Sequence, residues 1–312
     1  MDTQSGRLKR IRSLAWLLTA LSLLIVLISA YIRLSGAGLG CAGWPECYGQ
    51  LLVGGPHPHV GAVRILHRVT ASLSLLLAFF TAWQCIRPNP IQPVARYATV
   101  LLALMILLTF VGIWSADPHR VWAGFINILG GAGLVLLSWR TALAAGPEFA
   151  PAAPRRSAAL LHAGLGLLAL TIALGALIGA RYAAAACPEL PGCSDASWPA
   201  AAGWSALNPF TTVAAATALG DAGGVALHLL HRYSALTTLL LLGIGGLQAL
   251  THGAARASAG LMLALLLVQF ALGVLTVMSG FSLGLAVAHG VCAAALLAVG
   301  MQVLLRIKAG PA

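Results

Sequence analysis

Eight apolar stretches, each long enough to cross a bilayer, leave this chain few choices of fold. They fall at roughly 14–34, 61–84, 97–115, 120–143, 157–180, 222–250, 257–279 and 284–307, and a bilayer core of about 30 Å needs about 20 such residues in a helix. Lipid offers no partner to a bare peptide group, so each run must satisfy its backbone internally, as a helix does. Composition agrees. Of 312 residues, 60% are hydrophobic and 8% charged, whereas soluble domains carry about 25% charged residues. The expected fold is an all-α polytopic membrane protein with eight transmembrane helices. The segment around 206–221, with Asn208, Pro209 and a Thr/Ala run, reads as a loop or a short surface helix.

The net charge of +11 is an orientation signal rather than a nucleic-acid footprint. Arg7, Lys9, Arg10 and Arg12 precede the first span. Arg87 and Arg96, then Arg140, Arg155 and Arg156, then Arg256, and finally Arg306 and Lys308 occupy the other connections on that side. Glu46, Asp117, Glu189, Asp195 and Asp221 fall on the opposite side. This positive-inside pattern places both termini in the cytoplasm, with the lipid bilayer as surroundings. The first run has no Ala-x-Ala-like site before Arg33 and reads as an uncleaved span rather than a signal peptide.

The chain also repeats itself. Leu66-His67-Arg68 and Leu230-His231-Arg232 each open an apolar run, and each follows a loop with the spacing Cys-x5-Cys: Cys41/Cys47 and Cys187/Cys193. Residues 1–150 and 151–312 are expected to form two tandem, pseudo-symmetric four-helix bundles. Four spans per half give both halves one orientation, with the symmetry axis along the membrane normal. The second half adds His289 in its fourth span; the matching segment of the first half carries Asn127.

An imidazole inside a membrane span is costly unless something binds it. His67, Asn127, His231 and His289 each lie roughly 5–10 residues from the outer end of a span, a common layer about 8–15 Å deep at about 1.5 Å per residue. Two imidazoles at one depth on neighbouring helices suit axial ligation of a haem iron, so His231 and His289 are expected ligands. His67 is expected to hold a second haem-like group from one side. Arg68 and Arg232 directly follow these histidines and suit haem propionates, with snorkelling to the interface as the plain alternative. His228 could serve a propionate or face the loop. His119, His162 and His252 read as ordinary interfacial residues, and no span shows the broken-helix pattern of a transporter.

Both cysteine pairs fall on the outer, oxidising side and read as disulfides, Cys41–Cys47 and Cys187–Cys193. For the second, a loop staple is the simpler reading. For the first, a redox role stands beside it, and His57 and His59 keep a metal alternative open.

The run Arg33-Leu34-Ser35-Gly36-Ala37-Gly38-Leu39-Gly40-Cys41-Ala42-Gly43-Trp44-Pro45-Glu46-Cys47-Tyr48-Gly49 resembles the first outer loop of the haem A synthase family. Leu272-Gly273-Val274-Leu275-Thr276-Val277-Met278-Ser279-Gly280, followed by His289, resembles that family's seventh and eighth helices. The resemblance implies an eight-helix inner-membrane oxidoreductase of cytochrome oxidase assembly. It would oxidise a ring methyl of haem O to the formyl group of haem A. It further implies a haem b cofactor between His231 and His289, and substrate haem O in the first half with His67 as ligand or catalytic group. A haem O synthase or oxidase assembly factors would be partners, and self-association is left open. Two residues depart from the family: Arg64 stands where a glutamate is common, three residues before the His-Arg pair, and Asn127 stands for a histidine. The rival implication is a non-catalytic haem-binding protein serving electron transfer or haem delivery.

Overall fold

In the computed structural model, residues 2–39, 58–115, 117–146, 156–193, 196–213 and 216–308 are described. They form α1 (Asp2–Gly36), α2 (Pro58–Ile86), α3 (Val94–Trp114), α4 (Val121–Ala144), α5 (Arg156–Ala180), α6 (Ala222–Ala249), α7 (Arg256–Met278) and α8 (Leu283–Lys308). Two short 3-10 turns, Ala184–Ala186 and Ala201–Leu207, sit between α5 and α6. Among the described residues, eight helices are long and apolar enough to cross a membrane. The chain is a multi-pass membrane protein.

The helix surfaces follow from the solvent being lipid. Ile65, Leu73, Leu76 and Phe79 on α2, Phe110 and Ile113 on α3, and Leu240 and Leu247 on α6 are exposed. An apolar outer face of this kind has nothing to gain from burial in a bilayer protein. Hydroxyl side chains are instead satisfied within their own helices. Thr19, Thr70, Ser74, Thr81, Thr99, Thr109, Thr141, Thr171 and Thr276 each donate to the carbonyl four residues back, which removes the cost of carrying a hydroxyl into hydrocarbon.

Packing closes two rings. In the first, α1 packs on α2, α2 on α3, α3 on α4 and α4 back on α1; in the second, α5 to α8 do the same. The seam between rings is made by α1 and α4 against α8, and α4 against α5. Ala132 and Val135 of α4 meet Ala294 and Ala298 of α8 there, and Trp139 donates through Nε1 to Gln302 Oε1 at 2.8 Å. Small residues set the spacing within the second ring. A Cβ on Gly164 would lie 2.6 Å from Leu242, and one on Gly246 2.7 Å from Met262, so these helices approach as closely as glycine permits. The largest buried cluster, including Leu161, Leu165, Leu242, Met262 and Leu296, lies in this second ring.

Helix α1 begins at Asp2, well before the apolar run that opens near residue 14. Its basic first turns are anchored rather than frayed: Arg7 donates to the carbonyls of Gln84 (2.6 Å) in the last turn of α2 and of Asn89 (2.8 Å) just beyond it, and Ile11 is fully buried. Apolar periodicity marks only the part of a helix in hydrocarbon, so the interfacial turns lay outside the sequence signal. Among the described residues of the 206–221 segment there is no long helix. The turn Ala201–Leu207 opens the segment and Asp221 closes it, its carboxylate capping α6 by accepting from Gly224 N at 2.8 Å.

At the end of the bundle where α1 finishes, the connection between α5 and α6 caps both rings. His119 Nδ1 donates to the carbonyl of Val213 at 2.7 Å, and Arg120 bridges to Thr212, tying the α3–α4 loop to it. Arg181 donates to Ala206 O and to Thr211 Oγ1; burial draws its guanidinium below the usual arginine range, against the pull of Asp221. Tyr182 and Phe281, just past α5 and α7, both adopt left-handed backbone (φ 52° and 60°). They belong to one buried cluster with Leu34, Ala37 and Leu39 at the end of α1.

Candidate haem site between α6 and α8

His231 lies nine residues into α6 and His289 six residues into α8. These helices stand diagonally across the second ring, so both side chains can meet only in its interior. Their ring centroids are 6.3 Å apart with an interplanar angle of 67°. Two imidazoles joined through a metal, with bonds of about 2 Å and ring centres roughly 1 Å behind each nitrogen, would be separated by about 6 Å. At that separation His231 and His289 are the residues that would hold one metal ion between them.

Each ring is seated on the helix preceding its own. A Cβ on Gly175 of α5 would lie 3.1 Å from His231 Cε1, and one on Gly273 of α7 would lie 3.1 Å from His289 Cε1. His231 Nδ1 donates to the backbone carbonyl of Thr171 at 3.0 Å, one turn before Gly175. That bond fixes the tautomer and leaves Nε2 without a proton, the usual arrangement for a metal-binding histidine. His289 contacts the amide of Gln269, one turn before Gly273: Gln269 Nε2 lies 3.2 Å from Nδ1 and 3.3 Å from Nε2. Thr171 and Gly175 on α5 thus correspond to Gln269 and Gly273 on α7. Sequence reasoning passed over Gln269, although a lone amide in an apolar span is a legible signal. The carbonyl of Thr171 has no signature in sequence.

His228, one turn before His231, is buried, and its Nε2 donates to Ala183 O at 2.9 Å. It anchors the α5–α6 connection. Arg232 is engaged with the loop closed by the Cys187–Cys193 disulfide: Nη1 donates to Pro191 O (3.1 Å) and Gly192 O (2.6 Å), and Nη2 to Cys187 O (3.2 Å). A short closed loop turns carbonyls inward without backbone donors to meet them, and the guanidinium supplies those donors. Tyr233 donates its hydroxyl to Ser197 O, just beyond that loop in the α5–α6 connection.

The first ring offers less. His67 lies nine residues into α2 and Asn127 six residues into α4, repeating the depths of His231 and His289. His67 is half-buried, while Arg64 and Arg68 are exposed. Among the described residues, no hydrogen bond or ring contact joins His67 to Asn127, and neither arginine makes an ion pair. No described glycine abuts His67. Cys41, Cys47 and His57 lie outside the described residues. Among the described residues there is also no cluster of three or more His, Cys, Asp or Glu side chains, a donor set that axial haem ligation does not need. His119 serves the loop contact above, and His162 Nδ1 lies 2.5 Å from Ala158 O in its own helix.

Residues 12–60 and 126–301 match the model of a family described as cytochrome oxidase assembly protein. The unmatched stretch between them contains most of α2 and all of α3. The chain is 28% identical to the haem A synthase of Shewanella oneidensis over 310 residues, covering 91% of this chain and 93% of that one. It is 36% identical to the haem A synthase of Symbiobacterium thermophilum over 97 residues, 30% of each chain. It is also 30% identical over 116 residues to a protohaem IX farnesyltransferase of Thermus thermophilus, covering 35% of this chain and 19% of that one.

Proposed function

The chain belongs to the haem A synthase family, a family of oxidoreductases, and from that premise we propose that it converts haem O to haem A by oxidising a ring methyl to a formyl group. In this reading His231 and His289 hold a haem b cofactor inside the second ring. The observation that carries it is the diagonal histidine pair at 6.3 Å, each ring backed by a glycine and a polar partner on the preceding helix. Bound there, a haem would supply one-electron transfer. The protein's own work is positional. Thr171 holds His231 in one tautomer, the glycines give the rings room, and the packed cluster beneath keeps water away.

The first ring is the proposed substrate site. His67 lies as far into α2 as His231 does into α6, and in this reading it would ligate the substrate iron or assist at its methyl group. Arg68 and the neighbouring Arg64 are exposed beside it and suit the substrate's propionates. Residues 1–150 and 151–312 thus divide the labour between substrate and cofactor. The basic start of α1 and the arginines at the ends joining α2 to α3, α4 to α5 and α6 to α7 support a bacterial inner-membrane orientation with both termini in the cytoplasm. The similarity to a farnesyltransferase, an enzyme acting on protohaem, supports a haem O-producing partner.

The test is to express the protein with a haem O supply and analyse the extracted haems. The formyl product is expected, and its loss in His67→Ala. Haem O recovered unchanged from a preparation carrying a bis-histidine absorption spectrum would replace the enzyme reading with that of a haem-binding protein.

A further inference from the structure

The two histidines of the second ring are held differently, and that difference has chemical content. His231 gives its Nδ1 proton to a backbone carbonyl, a partner that no side-chain substitution can remove. His289 has hydrogen-bond contact only with the side chain of Gln269 among the described residues. Gln269 Oε1 is itself buried without a hydrogen-bond partner.

Oxygen and nitrogen of a glutamine amide exchange places by a half-turn about one bond, and the network decides which way it faces. An imidazole that gives one nitrogen to a metal keeps an N–H on the other, and a buried N–H requires an acceptor. As placed, the amide turns its donor toward His289 and leaves its acceptor stranded. The half-turn brings Oε1 within reach of both ring nitrogens, and a turn of the imidazole about its Cβ–Cγ bond then aligns one N–H with it, the acceptor that Thr171 O gives His231. Gly273, one turn further along α7, keeps the ring within reach by leaving no Cβ against Cε1.

Resting on the bis-histidine haem reading, we propose that Gln269 is the positioning residue of the His289 ligand: its side-chain carbonyl accepts the ligand's N–H, fixes which ring nitrogen faces the iron, and tunes that ligand's basicity. An acceptor on the free N–H makes an imidazole more electron-rich and favours ferric iron. The cofactor potential should therefore follow the acceptor strength at position 269.

The experiment uses the full-length protein purified in detergent with haem bound. The wild type is examined first for a six-coordinate, low-spin spectrum that disappears in His289→Ala. Without that spectrum the underlying reading fails before Gln269 is tested. Given it, Gln269→Leu should raise the midpoint potential and lower haem affinity about tenfold or more, as removal of an outer-shell partner typically does. Gln269→Glu, close in shape and a stronger acceptor when ionised, should keep haem and lower the potential below wild type. Because Glu is nearly isosteric, it carries the test even if Leu impairs folding. Potentials unchanged in Glu and in a folded Leu variant, or an order other than Leu above Gln above Glu, would overturn the proposal.

Discussion

The two rings of this protein place polar residues at the same depths and then treat them differently. In the second, His231 and His289 face each other across the diagonal, each with a hydrogen-bond partner and a glycine on the preceding helix. In the first, His67 and Asn127 occupy the matching positions with no hydrogen bond or ring contact between them among the described residues, and two arginines stand exposed beside the histidine. A resident cofactor needs a closed site whose ligands are pre-positioned, since disorder in the ligand would cost affinity every time. A substrate has to enter and leave, so an open, singly ligated and electropositive site suits it better.

The comparison breaks most readily at the paired histidines. His231→Ala and His289→Ala should each abolish the low-spin haem spectrum of the purified protein. His67→Ala should leave that spectrum and remove only the product, as read by haem extraction. An equal loss of resident haem in all three variants would erase the distinction between the rings.

A smaller effect is expected at the glycine seats. Gly175→Leu and Gly273→Leu would force atoms into space where a Cβ alone already lies 3.1 Å from an imidazole. Overpacking of this kind costs about 1–3 kcal/mol, and here the ring must move. Haem titration should show weaker binding in both, whereas Gly61→Leu, which meets open space on α2, should bind haem as the wild type does.

The arginines give a third contrast. Arg232→Gln removes donors from three loop carbonyls, each worth about 1 kcal/mol. Cys187→Ser opens the same loop, at about 2–3 kcal/mol by loop-closure entropy. Both should lower the unfolding temperature and increase proteolysis between α5 and α6. Arg68→Gln should leave stability unchanged and act on substrate turnover instead.

The smallest effect concerns pH. The carboxyl of Asp117 is held below the usual carboxylate range by the backbone N–H of His119 and then by the Arg120 side chain. A lowered folded value means its contribution is complete above the ordinary carboxylate pKa of about 3.9 and is lost as pH falls through the lower folded value. Thermal unfolding at acid pH should therefore fall slightly more steeply in the wild type than in Asp117→Asn. An identical slope would remove the carboxylate from the stability of the α3–α4 loop.

Much of the fold was legible because hydrocarbon allows few solutions. Eight apolar runs required eight helices, and the repeated Leu-His-Arg put His67 and His231 at one depth. The interfacial start of α1 was not legible, since its anchors are Arg7 and the backbone carbonyls of Gln84 and Asn89, which carry no periodicity. At the site, the pairing of His231 with His289 could be read from depth and order. The partner of His231 could not, because a backbone carbonyl looks the same at every residue. Arg232 shows the limit from the other side. Its place beside a proposed ligand suggested propionates, whereas in the structure its Nη1 and Nη2 donors serve the loop that the disulfide folds over it. That loop's inward carbonyls come from its closure, not from its residue types.

Low-temperature electron paramagnetic resonance of the oxidised, detergent-purified protein tests the histidine pair most directly. A low-spin ferric signal typical of two imidazole ligands, present in the wild type and His67→Ala and absent from both His231→Ala and His289→Ala, is the expected result. A high-spin signal in the wild type, or a low-spin signal surviving in either of the last two variants, would contradict it.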